Sequence, residues 1–158
     1  MIAKVRVTSF AAAVLGALGL GAPAALAHPA ATFPNACSIL AGAHPQKALY
    51  PGKSVTVTAG KETTYASGVS CTQKVGSLTV TLGLVGQDYG FGGVLDPQQT
   101  PLTGMGGGTV ITGKLTNGTR VATARFHRGS IWATLSVPGA TVGALAQLSH
   151  AVYALLPR

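Results

Sequence analysis

The sequence predicts an α+β fold: an antiparallel sheet of about five or six strands with a C-terminal amphipathic helix packed on one face. Three observations predict it. Short segments alternate aliphatic residues with threonine and serine, the pattern of strands with one packed side and one wet side. Glycine-containing pairs, Gly76-Ser77, Asn117-Gly118 and Arg128-Gly129, punctuate those segments. After Pro138-Gly139 the apolar spacing changes from two residues to about 3.6. Val142, Leu145, Leu148, Val152 and Leu155 then fall on one helical stripe.

The elements follow in order. Residues 28–34 are rich in alanine and proline and read as an extended arm. Asn35 is placed to cap a short helical turn through Cys37, Ser38, Ile39 and Leu40. A second short helix is expected after His44, with Pro45 at its first position and Tyr50-Pro51-Gly52 ending it. Val55 and Val57 alternate with Thr56 and Thr58, which predicts a strand over 54–58. Past a polar turn at Gly60-Lys61-Glu62, Val69, Cys71 and Val75 oppose Ser70, Thr72 and Lys74. Leu78, Val80, Leu82 and Leu84 then oppose Thr79 and Thr81 in the clearest strand of the chain. Near the C-terminus, Ile111, Gly113 and Leu115 share a face opposite Val110, Thr112 and Lys114. Asn117-Gly118 predicts a type I′ hairpin turn. It leads to a strand with Ala122, Ala124 and Phe126 on its apolar side and Arg125 and His127 on its wet side. Ile131, Ala133, Leu135 and Val137 line the last strand, with Trp132 on the wet face beside Arg125 and His127. Lys114 is expected to join that wet cluster across the other pairing.

The first 27 residues read as a secretory signal peptide. Lys4 and Arg6 precede an apolar run from Phe10 to Leu20, and Ala25-Leu26-Ala27 is an A-x-A cleavage site. Residues 28–158 would then be a single secreted domain of 131 residues. No later segment reaches the ~18 uncharged apolar residues of a spanning helix. The formal charge of +8 becomes +6 after cleavage, with nine Lys and Arg against Glu62, Asp88 and Asp96. That balance suits anionic surroundings, but the cations are scattered and form no nucleic-acid-binding arm. Cys37 and Cys71 are expected to form a disulfide, since two cysteines in an exported chain pair. Closing that loop stabilises a fold by roughly 3–4 kcal/mol in the chain-entropy model.

Between residues 83 and 108 the alternation stops, and nine glycines with Pro97 and Pro101 predict a long loop. A loop of that length inside a compact domain is functional or disordered. Tyr89 and Phe91, with Asp88 and Asp96, make it the first candidate binding surface. The second is the cationic, aromatic face of Arg125, His127 and Trp132, which suits an anion, a sugar or an acidic partner. Catalytic motifs fail. Gly108 to Lys114 has the P-loop spacing, but Leu115 stands where a magnesium-binding Ser or Thr belongs. No G-x-S-x-G occurs, and three dispersed acids give no paired-carboxylate site. No cofactor is expected. The alternative is copper: cleavage after Ala27 would make His28 the N-terminal residue, offering an amine and an imidazole as in copper histidine-brace proteins. A second ligand would then come from His44, His127 or His150.

Four pieces in sequence carry a family resemblance. They are Ala36-Cys37-Ser38-Ile39-Leu40 after a signal peptide, Ser70-Cys71-Thr72 before a strand, Gly104-Met105-Gly106-Gly107 before three strands, and a terminal helix ending Leu155-Leu156-Pro157. The chain resembles small exported domains of actinobacterial cell-envelope lipoproteins of unknown function and the extracellular sensor domains of receptor serine/threonine kinases. The resemblance implies an extracytoplasmic α+β domain with a disulfide and no catalytic residues. The chain lacks the lipidated cysteine of the lipoproteins. The expected function is non-catalytic binding of a ligand or protein partner at the cell envelope.

Overall fold

The computed structural model describes residues 32–88, 90 and 94–158. The expected signal peptide, His28, Tyr89 and Phe91 lie outside the described residues. The elements run α1 (Ala36–Gly42), α2 (Pro45–Leu49), β1 (Lys61–Tyr65), β2 (Gly68–Val75), β3 (Leu78–Val85), β4 (Val94–Pro101), β5 (Thr109–Leu115), β6 (Arg120–Arg128), β7 (Ile131–Ser136) and α3 (Val142–Leu155). The strands form one antiparallel sheet in the order β1-β2-β3-β7-β6-β5-β4. The fold is α+β as expected, but the sheet has seven strands rather than five or six.

Both additional departures have physical causes. The segment 54–58 contributes only a single bridge, Val57 to Val75. The edge line it begins along β2 is broken at Gly60, where the backbone passes over the Cys37–Cys71 disulfide; a Cβ at that position would lie 2.6 Å from the Cys71 sulfur. The line resumes as β1, whose five residues are all exposed and so carry no apolar period. At the other edge, β4 lies inside the expected long loop. It is exposed apart from Val94, holds two prolines, and bulges between Leu95 and Gln98, with Asp96 at a φ of 47°. Proline is confined in sheets to edges and bulges, and both devices blunt an edge against pairing with other chains.

All three helices pack on one face. α1 lies on β2 and β3, α3 on β6 and β5, and α2 against α3. α1 is held where expected, with Asn35 Oδ1 accepting from the Ser38 N–H at 2.6 Å, and the disulfide ties it to β2. Glu62 reaches from β1 to accept from the Cys37 N–H and the Asn35 side chain. The core beneath the helices holds Leu40, Val80, Leu82, Leu84, Val110, Ala124, Phe126, Leu135, Leu145, Leu148 and Val152. Leu156 replaces Leu155 as the last core residue of the terminal helix, since Leu155 is 46 % exposed. Arg128, at the end of β6, fastens that helix: its Nη1 donates to the carbonyls of Tyr153, Ala154 and Leu156 at 2.8, 3.1 and 2.9 Å. These are carbonyls a helix terminus leaves without partners, at the negative end of its dipole. No helix among the described residues is long and apolar enough to cross a membrane.

The β5–β6 hairpin corrects the expected register by one residue. Its turn is not type I′. The Gly118 N–H donates to the Leu115 carbonyl, Asn117 keeps a negative φ, and Gly118 alone takes a φ of 79°. This is a type I turn with a glycine bulge, the usual three-residue alternative. The resulting register pairs Lys114 with Arg120 and Val110 with Ala124. A type I′ turn centred on Asn117-Gly118 would have shifted the pairing by one, and such a shift exchanges the two faces of a strand. Val110 therefore faces the core, Ile111 the opposite side, and Lys114 lies on the helix side of the sheet, away from Arg125.

Candidate functional site

The face opposite the helices is built from short hydroxyl side chains. One register row crosses all seven strands: Lys61, Thr72, Thr81, Ser136, Thr123, Ile111, Gln99. Hydroxyls in it bond across strands, Thr72 to Thr81 at 3.2 Å and Thr123 to Ser136 at 3.2 Å. The next row runs Thr63, Ser70, Gly83, Thr134, Arg125, Thr109, Pro101. From this low floor three long side chains rise together at one end of β6 and β7.

Arg125 and His127 are two residues apart on β6 and so share a face. Trp132 of β7 is the register partner of His127 and the diagonal neighbour of Arg125. The Arg125 guanidinium carbon lies 4.9 Å from the Trp132 ring centre, and the His127 ring lies 4.7 Å from it at 40°. The sequence expected these three residues to gather, and they do. Gly106, from the turn before β5, passes over His127: a Cβ there would lie 3.6 Å from His127 Nε2.

The sheet order brings Asp88, of the loop expected as the first candidate surface, to the same place. β3 ends beside Trp132 at Val85, while β4 begins beside Leu115 at the far end of β5. The connection between them has to traverse four strand spacings, roughly 19 Å. Asp88 marks its path over the hydroxyl face, forming an ion pair with Arg125. Asp88 is thereby brought to the Arg125–His127–Trp132 cluster; Tyr89 and Phe91 lie outside the described residues.

Two hollows flank the Asp88–Arg125 pair and share Asp88, Arg125 and Trp132. One, of about 310 Å³, is also walled by Gln99, Gly107, Thr109 and Ile111. The other, of about 210 Å³, is walled by Gly83, Val85, Gln87, Gly90 and Thr134. Gly83 makes room for the second: among the described residues the nearest atom to a Cβ placed there would be the Thr134 carbonyl oxygen, 3.9 Å away. Partial burial pulls the Arg125 pKa below its ordinary value, yet guanidinium stays protonated at any pH at which a protein folds. The site therefore offers a matched ion pair, an indole ring, an imidazole and several hydroxyl and amide groups. Gln99, Thr109 and Thr134 were not singled out in the sequence, because their membership depends on the strand order and on the hairpin register.

The histidines stand apart by element. His44 precedes α2, His127 is on β6 and His150 on α3. Among the described residues no three or more His, Cys, Asp or Glu side chains gather to hold a metal ion. The copper expectation rests on His28 and so falls outside them. Compared with protein-family models, with curated proteins and with solved structures, the chain matches none.

Proposed function

We propose that this protein is an exported, non-catalytic binding domain of the cell envelope, and that it contacts its ligand through the hydroxyl face at the Arg125–His127–Trp132 cluster. One observation carries the proposal. A face that no described helix covers brings Arg125, His127 and Trp132 into mutual contact, with hollows of about 310 and 210 Å³ on either side of one ion pair. Together the hollows fall within the size range of small-ligand sites.

The lining favours a neutral, polyhydroxylated ligand such as an envelope glycan over a strong anion. The Arg125 charge is already matched by Asp88, and hydroxyl and amide groups supply the remaining polar contacts. Non-catalytic binding agrees with the use of the acids: Glu62 is engaged at the start of α1 and Asp88 with Arg125, while Asp96 sits in the bulge of β4. Secretion accords with the disulfide, which persists in oxidising compartments, and with the signal-peptide pattern of residues 1–27.

Trp132 is the single tryptophan of the chain, so its emission reports the site alone. Titrating the purified protein with soluble envelope glycan fragments should shift that emission saturably, and Arg125→Gln should weaken the response at least fivefold. An emission spectrum that no fragment moves would count against the site.

A further inference from the structure

The helix side of the sheet is not covered to its end. α3 begins at Val142 and lies on β6 and β5, and beyond its start the strands continue toward the β5–β6 turn. A cavity of about 590 Å³ opens there, between Gly139-Ala140 and the bulged part of β4 at Leu95 and Asp96. It is larger than either hollow on the hydroxyl face and lies on the opposite side of the sheet.

Its lining combines charge and apolar surface in a defined order. Leu95, Lys114 and Arg120 form one register row across β4, β5 and β6, so their side chains share the helix-side face. Lys114 and Arg120 are thus like charges directly opposite one another, which destabilises a strand pair unless something neutralises them. Among the described residues neither makes an ion pair or a side-chain hydrogen bond, and Asp96, the acid of the lining, is beyond ion-pair distance of both. Beside them Leu95 is 51 % exposed, an uncovered leucine on an edge strand, and Ala122 and Ala140 continue the apolar wall. The volume is that of a small-molecule site.

We propose that this cavity binds an anionic amphiphile, with a phosphate or carboxylate head between Lys114 and Arg120 and an alkyl chain along Leu95, Ala122 and Ala140. An anion between the two cations converts their repulsion into two charge-assisted hydrogen bonds, and the chain takes the exposed leucine out of water. Neither half suffices alone. A bare anion leaves Leu95 wet, and a neutral chain leaves the cations opposed.

The test is a titration of the isotope-labelled protein, followed by amide NMR, with decyl phosphate, decanoate, decanol and inorganic phosphate, each below its micelle concentration. The two anionic amphiphiles should move the amides of Thr112, Lys114, Arg120 and Ala140 and leave the Trp132 indole N–H in place. Decanol and inorganic phosphate should bind at least tenfold more weakly. Lys114→Gln and Arg120→Gln should each weaken decyl phosphate about tenfold, and Leu95→Ser should weaken it without changing phosphate. Both cations are exposed, and the ligand-free Gln variants should melt at or above the wild-type temperature. Equal binding of decanol, equal binding of inorganic phosphate, unchanged affinity in both Gln variants, or a melting temperature lowered by either would overturn the proposal. Amide shifts confined to the Trp132 side would assign the ligand to the other face and overturn it equally.

Discussion

One set of strands presents two unlike faces, and the difference between them separates what folds this protein from what it displays. On the helix side, the stretch of β2, β3, β5, β6 and β7 beneath the helices is mainly aliphatic and buried, together with Phe126, and the exposed Lys114 and Arg120 lie beyond it. The few buried polar groups there are satisfied: Gln73 donates to the Thr58 carbonyl at 2.9 Å and Ser149 to the Leu145 carbonyl at 2.7 Å. On the other side the same strands carry mainly threonine, serine and glycine, with Val85, Ile111, Leu115 and Val121 among them and one cluster of Arg125, His127 and Trp132. Burial drives folding, so the first face has little freedom of composition. The second has much more, and there Arg125, His127 and Trp132 pack on one another and on Asp88.

The comparison predicts a gradient of mutational cost. Phe126→Ala, at the centre of the packed face and edge-on to Tyr153 with ring centres 6.2 Å apart, should destabilise by about 3–5 kcal/mol in chemical denaturation. Replacing Cys37 and Cys71 by serine should cost about 2–4 kcal/mol, and the loss should appear equally when the native protein is reduced. Val110→Thr and Ile111→Thr sharpen the contrast between neighbours on opposite faces. The first buries a hydroxyl in the core and should cost about 1–3 kcal/mol, whereas the second, at a residue buried at 7 % exposure but outside the core cluster, should cost less; a reversed order would restore the type I′ register. Arg128→Ala removes three hydrogen bonds to carbonyls at the end of α3 and should cost about 1–2 kcal/mol, with faster amide exchange confined to the last turn of that helix. On the hydroxyl face, Thr81→Val should change stability by no more than about 0.5 kcal/mol.

Much of this was legible in the sequence, and the gaps have local explanations. The strands β2, β3, β6 and β7 announce themselves because Leu82, Leu135 and their neighbours alternate with hydroxyl residues over six or more positions. Their hairpins are closed by Gly76-Ser77 and Gly129-Ser130, with glycine first and at a φ of 57° in both. β1 and β4 are silent because an edge strand exposed on both sides has no apolar period to read. The turn before β2, Ala66-Ser67, adds no glycine or asparagine to mark it. The grouping of Arg125, His127 and Trp132 was visible, since it needs only alternation and one tight turn. Its partner Asp88 was visible as a residue but not as a neighbour, because no local pattern states that β4 sits at the far edge and sends the connection across the face. A single turn type decides on which side of the sheet Lys114 lies, so the composition of both faces hangs on one hairpin residue.

The division between a structural face and the proposed binding face is tested most directly at Gly83. It sits on β3 on the hydroxyl side, its φ lies outside the left-handed region, and among the described residues a Cβ would meet nothing closer than 3.9 Å. Valine there suits a strand and would occupy the hollow of about 210 Å³ beside Trp132 and Thr134. Measured on one sample, the Gly83→Val protein should keep its wild-type melting temperature and lose the change in Trp132 emission on addition of envelope glycan. An unchanged glycan response would contradict the account, and so would a large fall in melting temperature, which would show that the hydroxyl face belongs to the packing of the fold.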